Sequence, residues 1–279
     1  MFLLAILLSI ATNKIQVATA NTNPVEGRYS FSLTTFHPSG QLPQLSHATK
    51  ASFLGPPILA FRDTRGIVLT SLQSLPSPLI HDDGTARFVK LTDSILIGHT
   101  GVNADGRVVT EAAQRLAVEH AYTFQEEIPM DILLEEMALL YQEYTMKAGV
   151  RPFGCCLIVA GLNDDDGGLY RIDPSGAVTQ LDDIAFAGRG DGDATVEKVK
   201  QRIQADVDGN GNLESIEDVL IEALREEVIG GKQSSCQSII CARLSSDRDR
   251  GSIQRLRRVA VDVDSKEIDI QAKGDGGAK

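Results

Sequence analysis

The sequence predicts an α+β fold, a four-layer alpha-beta-beta-alpha sandwich preceded by an amino-terminal arm and a short helix. Stretches of strand and helix spacing alternate in the order strands, two helices, strands, two helices, strands. That order calls for two helical layers enclosing a pair of stacked sheets. Composition agrees: 42% of the 279 residues are hydrophobic, yet aromatics make up only 5% and tryptophan is absent. The core must therefore be packed from aliphatic and small side chains. One domain is expected over residues 28–264, with a leader at 1–27 outside the fold and a flexible tail at 265–279.

In chain order, Tyr29, Phe31, Leu33 and Thr35 alternate with smaller or polar residues, the pattern of an extended arm. His37-Pro38-Ser39-Gly40 supplies a turn. Pro43 at a first helical position and the stripe Leu42, Leu45 and Ala48 then predict a short helix, which Ser39 is placed to cap. Pro57 to Leu69 reads as two strands around Asp63-Thr64-Arg65-Gly66, and Leu91 to Thr100 as a second pair bent at Asp93-Ser94. Helices follow from Gly106 to His120 and from Pro129 to Lys147, the latter closed by Gly149. Cys155 to Gly161 is a continuously apolar strand, and Leu169 to Ile172 pairs with Ala177 to Leu181 around Asp173-Pro174-Ser175-Gly176. Helices at Thr195 to Ala205 and Ser215 to Val228, then strands at Cys236 to Leu244 and Leu256 to Val263, close the chain.

The leader carries an apolar run, Phe2 to Ala11, and the small-x-small pattern Ala18-Thr19-Ala20 of a signal-peptidase site. The run is too short to span a membrane, and no positive charge precedes it. A start codon placed too early is the alternative reading. The cysteines, Cys155-Cys156 and Cys236 with Cys241, match neither zinc nor redox spacing and read as buried, reduced side chains. A net charge of −11 argues against nucleic acid and anionic membrane as partners.

The arm, turn and helix together resemble the amino-terminal signature of proteasome alpha subunits, and Tyr29 to Phe36 looks most like the type-2 branch. Gly101 to Arg107, reading Gly-x-x-Ala-Asp-x-Arg, and the run Gly149-Val150-Arg151-Pro152-Phe153-Gly154 are similar to two further hallmarks of the family. Three positions depart: Gln41 stands for a basic residue, and Ser46-His47 for Glu-Tyr. The resemblance implies the fold of the amino-terminal nucleophile hydrolases and a seven-membered ring capping a proteolytic chamber. It implies inter-ring contacts by the helices at 106–120 and 129–147, and a pore closed by the arms. Gate residues would be Tyr29, Ser30, Phe31, Pro38 and His47, and Arg87 would take the place of the lysine that receives an activator's terminal carboxylate. Partners would be other alpha and beta subunits and a regulatory particle or activator. The implied location is cytoplasm and nucleus, or a secretory-route organelle if residues 1–20 are a signal peptide. A diverged, ring-incompetent relative or a subunit of a separate organellar proteasome is the alternative.

No catalysis is expected of the chain itself. An active relative frees a threonine directly before its first strand, so that the new amine serves as base for its own hydroxyl. Thr34-Thr35 is followed instead by Phe36-His37-Pro38 and a helix. The family's acidic residue after the second strand is replaced by Leu72, and Arg87 stands where its lysine would be. The five histidines lack metal-ligand spacing. No cofactor is required, but calcium has a candidate loop: Asp206, Asp208, Asn210, Gly211, Asn212 and Glu217 fall at positions 1, 3, 5, 6, 7 and 12 of an EF-hand.

Overall fold

A computed structural model describes residues 35–63, 66–74, 87–147, 149–162, 168–206, 213–230, 237–245, 254–261 and 268–270. Helix α1 (Pro43–Phe53) leads, followed by β1 (Ile58–Asp63), β2 (Gly66–Ser74), β3 (Phe88–Lys90) and β4 (Ile95–Gly101). Helices α2 (Asn103–Phe124) and α3 (Met130–Met146) come next. Strands β5 (Cys155–Gly161), β6 (Leu169–Ile172), β7 (Val178–Leu181) and β8 (Ile184–Ala187) precede helices α4 (Gly192–Asp206) and α5 (Leu213–Gly230). The last strands are β9 (Gln237–Ser245), β10 (Gln254–Val261) and β11 (Ile268–Ile270).

Two antiparallel sheets result, ordered β11-β10-β9-β2-β1-β8 and β3-β4-β5-β6-β7. Their central strands are buried on both faces, with successive side chains pointing to opposite sides. Cys155, Leu157 and Val159 join the core under α2 and α3, whereas Cys156, Ile158 and Ala160 enter the core between the sheets. Ile58 and Ala60 also face that central core, while Leu59 and Phe61 face the side of α4 and α5 with Val199, Leu220 and Leu224. Three apolar layers between four layers of elements make the predicted sandwich. Helix α3 contributes Met130, Leu133, Met137 and Tyr141 from one face, the i, i+3, i+4 spacing that a sheet-packed helix requires. Cys155, Cys156 and Cys241 are buried.

Several boundaries move for identifiable reasons. The turn before β4 is closed by Thr92, whose Oγ1 accepts the Ile95 and Ser94 backbone N–H groups at 3.1 and 3.2 Å. This pushes the partner strand upstream to Phe88–Lys90. Helix α2 runs past His120 because Ala121 to Phe124 holds no breaker, and it ends where Gln125 turns left-handed at φ 59°. Ser39 does not cap α1: the first helical residue follows Leu42 without a side-chain cap, and the Ser39 hydroxyl lies 2.8 Å from His37 Nδ1. Strand β8 was not expected, and it pairs with β1 at the edge of the first sheet. The span expected as a tail contains β11, which pairs with β10. Both strands are too short for alternation to reveal them. Among the described residues no helix is long and apolar enough to cross a membrane.

Candidate functional site

The two family-like passages meet at one end of the sandwich. Asp105, in the first turn of α2, receives a two-pronged bond from Arg151: Nη1 lies 2.5 Å from Oδ2 and Nη2 2.7 Å from Oδ1. The Gly154 N–H donates to Oδ2 at 2.9 Å, and Gly154 O in turn accepts the Val102 N–H at 2.9 Å. Asp105 is buried while Arg151 is exposed. Burial alone would raise the Asp105 pKa. The Arg151 and Gly154 hydrogen bonds and the guanidinium charge outweigh it and hold the carboxyl below its usual value.

Helix α1 is fastened to the same corner. The Thr100 hydroxyl donates to Pro56 O at 2.6 Å, and Arg189 N–H donates to Gly55 O at 2.9 Å. A Cβ on Gly55 would fall 2.0 Å from Gly101 N, so only glycine lets the end of α1 approach β4 this closely. Ala48 and Ser52 are the buried residues of α1, and Phe36, Phe53 and Leu54 around it are exposed.

Of the gate residues, Tyr29, Ser30 and Phe31 lie outside the described residues. Pro38 sits in the exposed turn that His37 and Gly40 close, the Gly40 N–H donating to His37 O at 2.7 Å. His47 is exposed on α1. Thr35 is described and is followed directly by that turn and helix, so no strand begins after it. Leu72 is buried in the core beneath α5 with Ile216 and Leu220. The position to which the resemblance assigns an acidic residue is thus filled with packed hydrocarbon.

Arg87 stands at the entrance to β3, half-buried, its peptide oxygen accepting the His99 N–H at 3.2 Å. Burial lowers its pKa, and Nη1 is buried without a hydrogen-bond partner among the described residues. Of the calcium candidates, Asp208, Asn210, Gly211 and Asn212 lie outside the described residues, as does the side chain of Asp206. Glu217 is described. Its side chain is buried, with Oε2 3.8 Å from Arg243 Nη1, so a cation in the loop competes with a guanidinium for it. Among the described residues no three His, Cys, Asp or Glu side chains stand together as a metal group.

Sequence reasoning had both halves of the Asp105 clamp but not their contact. The signal was present as two opposite charges in two separately recognised passages, 46 residues apart. It also missed the buried polar cluster around His99 described below.

Two antiparallel sheets between two helical layers, with a leading helix fastened across one end, define an alpha-beta-beta-alpha sandwich. A family model described as "Proteasome subunit" matches residues 53–239. The chain belongs to the proteasome subunit family. It is similar to a rice (Oryza sativa subsp. indica) protein named proteasome subunit alpha type-2, 38% identical over 54% of this chain and 65% of the relative. A Drosophila melanogaster protein of the same name is 39% identical over 54% of this chain and 64% of its own. A Trypanosoma brucei brucei counterpart is 37% identical over 53% and 64%. The matched part of the chain therefore spans just under two thirds of the length of these relatives.

Proposed function

We propose that the chain is a non-catalytic alpha-ring subunit of the proteasome core particle, acting in ring assembly, pore gating and activator docking during protein degradation. The observation that carries this reading is the distribution of exposed apolar side chains. Seven of the twelve large apolar residues exposed among the described residues lie on α2 and α3, including Val118, Tyr122 and Phe124 on α2 and Leu139 and Met146 on α3. Helices that pack one face on a sheet and still expose apolar groups on the other are built to be covered by partners. These are the two helices through which the family resemblance places inter-ring contacts. Leu72 supports the absence of catalysis, because a buried leucine can neither orient nor charge-balance a lysine. Coexpression with sister alpha subunits followed by native mass measurement tests the reading: incorporation into a ring is expected, and a persistent monomer would overturn it. The proposed location is cytoplasm and nucleus.

Activator docking is proposed to run through Arg87. Its fork can take a terminal carboxylate in two parallel bonds where a lysine ammonium would offer a point charge. Activator-stimulated peptide hydrolysis by rings carrying Arg87→Ala is expected to fall about tenfold, the loss of one charged hydrogen-bonded contact. Unchanged stimulation removes Arg87 from docking. In the gate, Tyr29, Ser30 and Phe31 of the arm are proposed to latch against the turn at Pro38, with His47 offering an imidazole where the family carries a tyrosine. Weak calcium binding by Asp206, Asp208, Asn210, Asn212 and Glu217 is also proposed, with Glu217 leaving Arg243 to close the shell. Calorimetric titration at millimolar calcium is expected to give heat with wild type and none with Glu217→Gln. A silent wild type ends that proposal.

A further inference from the structure

The start of α2 is held down on two sides by groups that titrate differently. On one side is the Asp105 clamp. On the other is His99, in β4, which is buried at 1% exposure and points from the sheet into the first turns of the helix. Its Nε2 lies 3.0 Å from Asn103 Oδ1 and its Nδ1 3.4 Å from Thr110 Oγ1. Between those residues Gly106 rests directly on the ring: a Cβ there would fall 2.0 Å from His99 Cδ2 and 2.7 Å from Nε2. The backbone of the helix thus closes over the imidazole and keeps water out.

The charged surroundings favour only the neutral ring. From α2 the facing groups are the uncharged Asn103 and Thr110, and the positive end of the helix itself. From the strand side the Arg87 guanidinium adds a like charge. The one carboxylate of the first turn, Asp105, is committed to Arg151 and Gly154. A neutral ring satisfies both contacts, Nε2–H donating to Asn103 and Nδ1 accepting from the Thr110 hydroxyl. An imidazolium would sit in a dry site with an arginine for a neighbour and no counter-ion among the described residues.

We propose that His99 makes the first turns of α2 an acid-released latch: they stay seated on β4 while the ring is neutral, and lift to hydrate it when it is protonated. Burial first, and then the Arg87 charge, lower the His99 pKa from 6.5, and the Asn103 hydrogen bond only partly opposes them. The open form therefore binds a proton that the closed form resists. Closing is undiminished above pH 6.5 and weakens as pH falls below it, while the Asp105 clamp yields only below 3.8. Between these limits protonation of the open form erodes the hold on the His99 side while the Asp105 clamp stays intact. The helix's first turns can then open without the rest of α2 or α3.

Amide hydrogen exchange of the full chain, corrected for intrinsic rates, tests it at about pH 7.0 and 5.5. The opening constant of amides 103–110 is expected to rise in wild type, by up to about eightfold, the most that one linked proton allows over that interval. It should stay flat in His99→Gln, and the amides of α3 should not change in either. An NMR titration of the wild-type ring should place His99 below 6.5, and this stands even if the variant fails to fold. A ring that titrates at or above 6.5, a rise that persists in His99→Gln, or an equal rise in α3 would each overturn the latch.

Discussion

Gly101→Ala is expected to cost about 2 to 6 kcal/mol, a large part of the 5 to 15 that a typical domain has. Two independent penalties add at this residue. Its φ of +105° lies where L side chains are strained, worth about 1 to 3 kcal/mol. A Cβ there would also fall 2.4 Å from Gly154 O and 2.9 Å from Cys155 Cα, both main-chain positions that cannot rotate aside. Overpacking against such atoms costs about 1 to 3 kcal/mol. Gly149→Ala is the control: its φ is +85°, but nothing lies within 4 Å of the new methyl, so only the backbone penalty applies. Urea unfolding should show the Gly101→Ala midpoint falling at least twice as far as that of Gly149→Ala, at unchanged slope. Equal shifts would mean that the corner relaxes and that close approach is not what Gly101 supplies.

That corner also marks how far the sequence could be read. Periodicity placed the buried strands and long helices well, because Cys155 to Gly161 is apolar throughout and α3 repeats its apolar face over more than four turns. It failed where an element is too short to show a period, as in β8 and β11, or where a side chain such as Thr92 sets a strand's start by closing a turn. The resemblance led to Leu72 and to Arg87, since these are positions along the chain. Contacts between distant positions were not legible. Nothing in the residues near 99 says that Gly106 is a glycine because an imidazole lies beneath it. Nor does the run at 149–154 say that its arginine reaches back to Asp105.

The Asp105 clamp itself should show in stability and in its dependence on pH. Arg151→Met removes two charge-assisted hydrogen bonds and leaves a buried carboxylate holding only the Gly154 N–H. Arg151 is 64% exposed, so water can replace part of what it gives, and the loss at neutral pH is expected at about 2 kcal/mol rather than the 3 to 5 of a fully interior pair. In the wild type the Asp105 carboxyl is held below 3.8, so its contribution is complete above that pH and is lost as pH falls through the lower folded value. In Arg151→Met burial is opposed by one hydrogen bond alone, and the carboxyl shifts up. Its penalty is then present at neutral pH and relieved as acid neutralises it. The two effects have the same sign in the difference. The gap between wild type and variant should be widest near pH 7 and close towards pH 3, and Arg151→Lys should recover charge without the fork and fall between them. Urea midpoints for the three chains at several pH values measure this directly. A gap that does not narrow with acid would mean that Arg151 acts through packing of its hydrocarbon stem and not through the carboxylate.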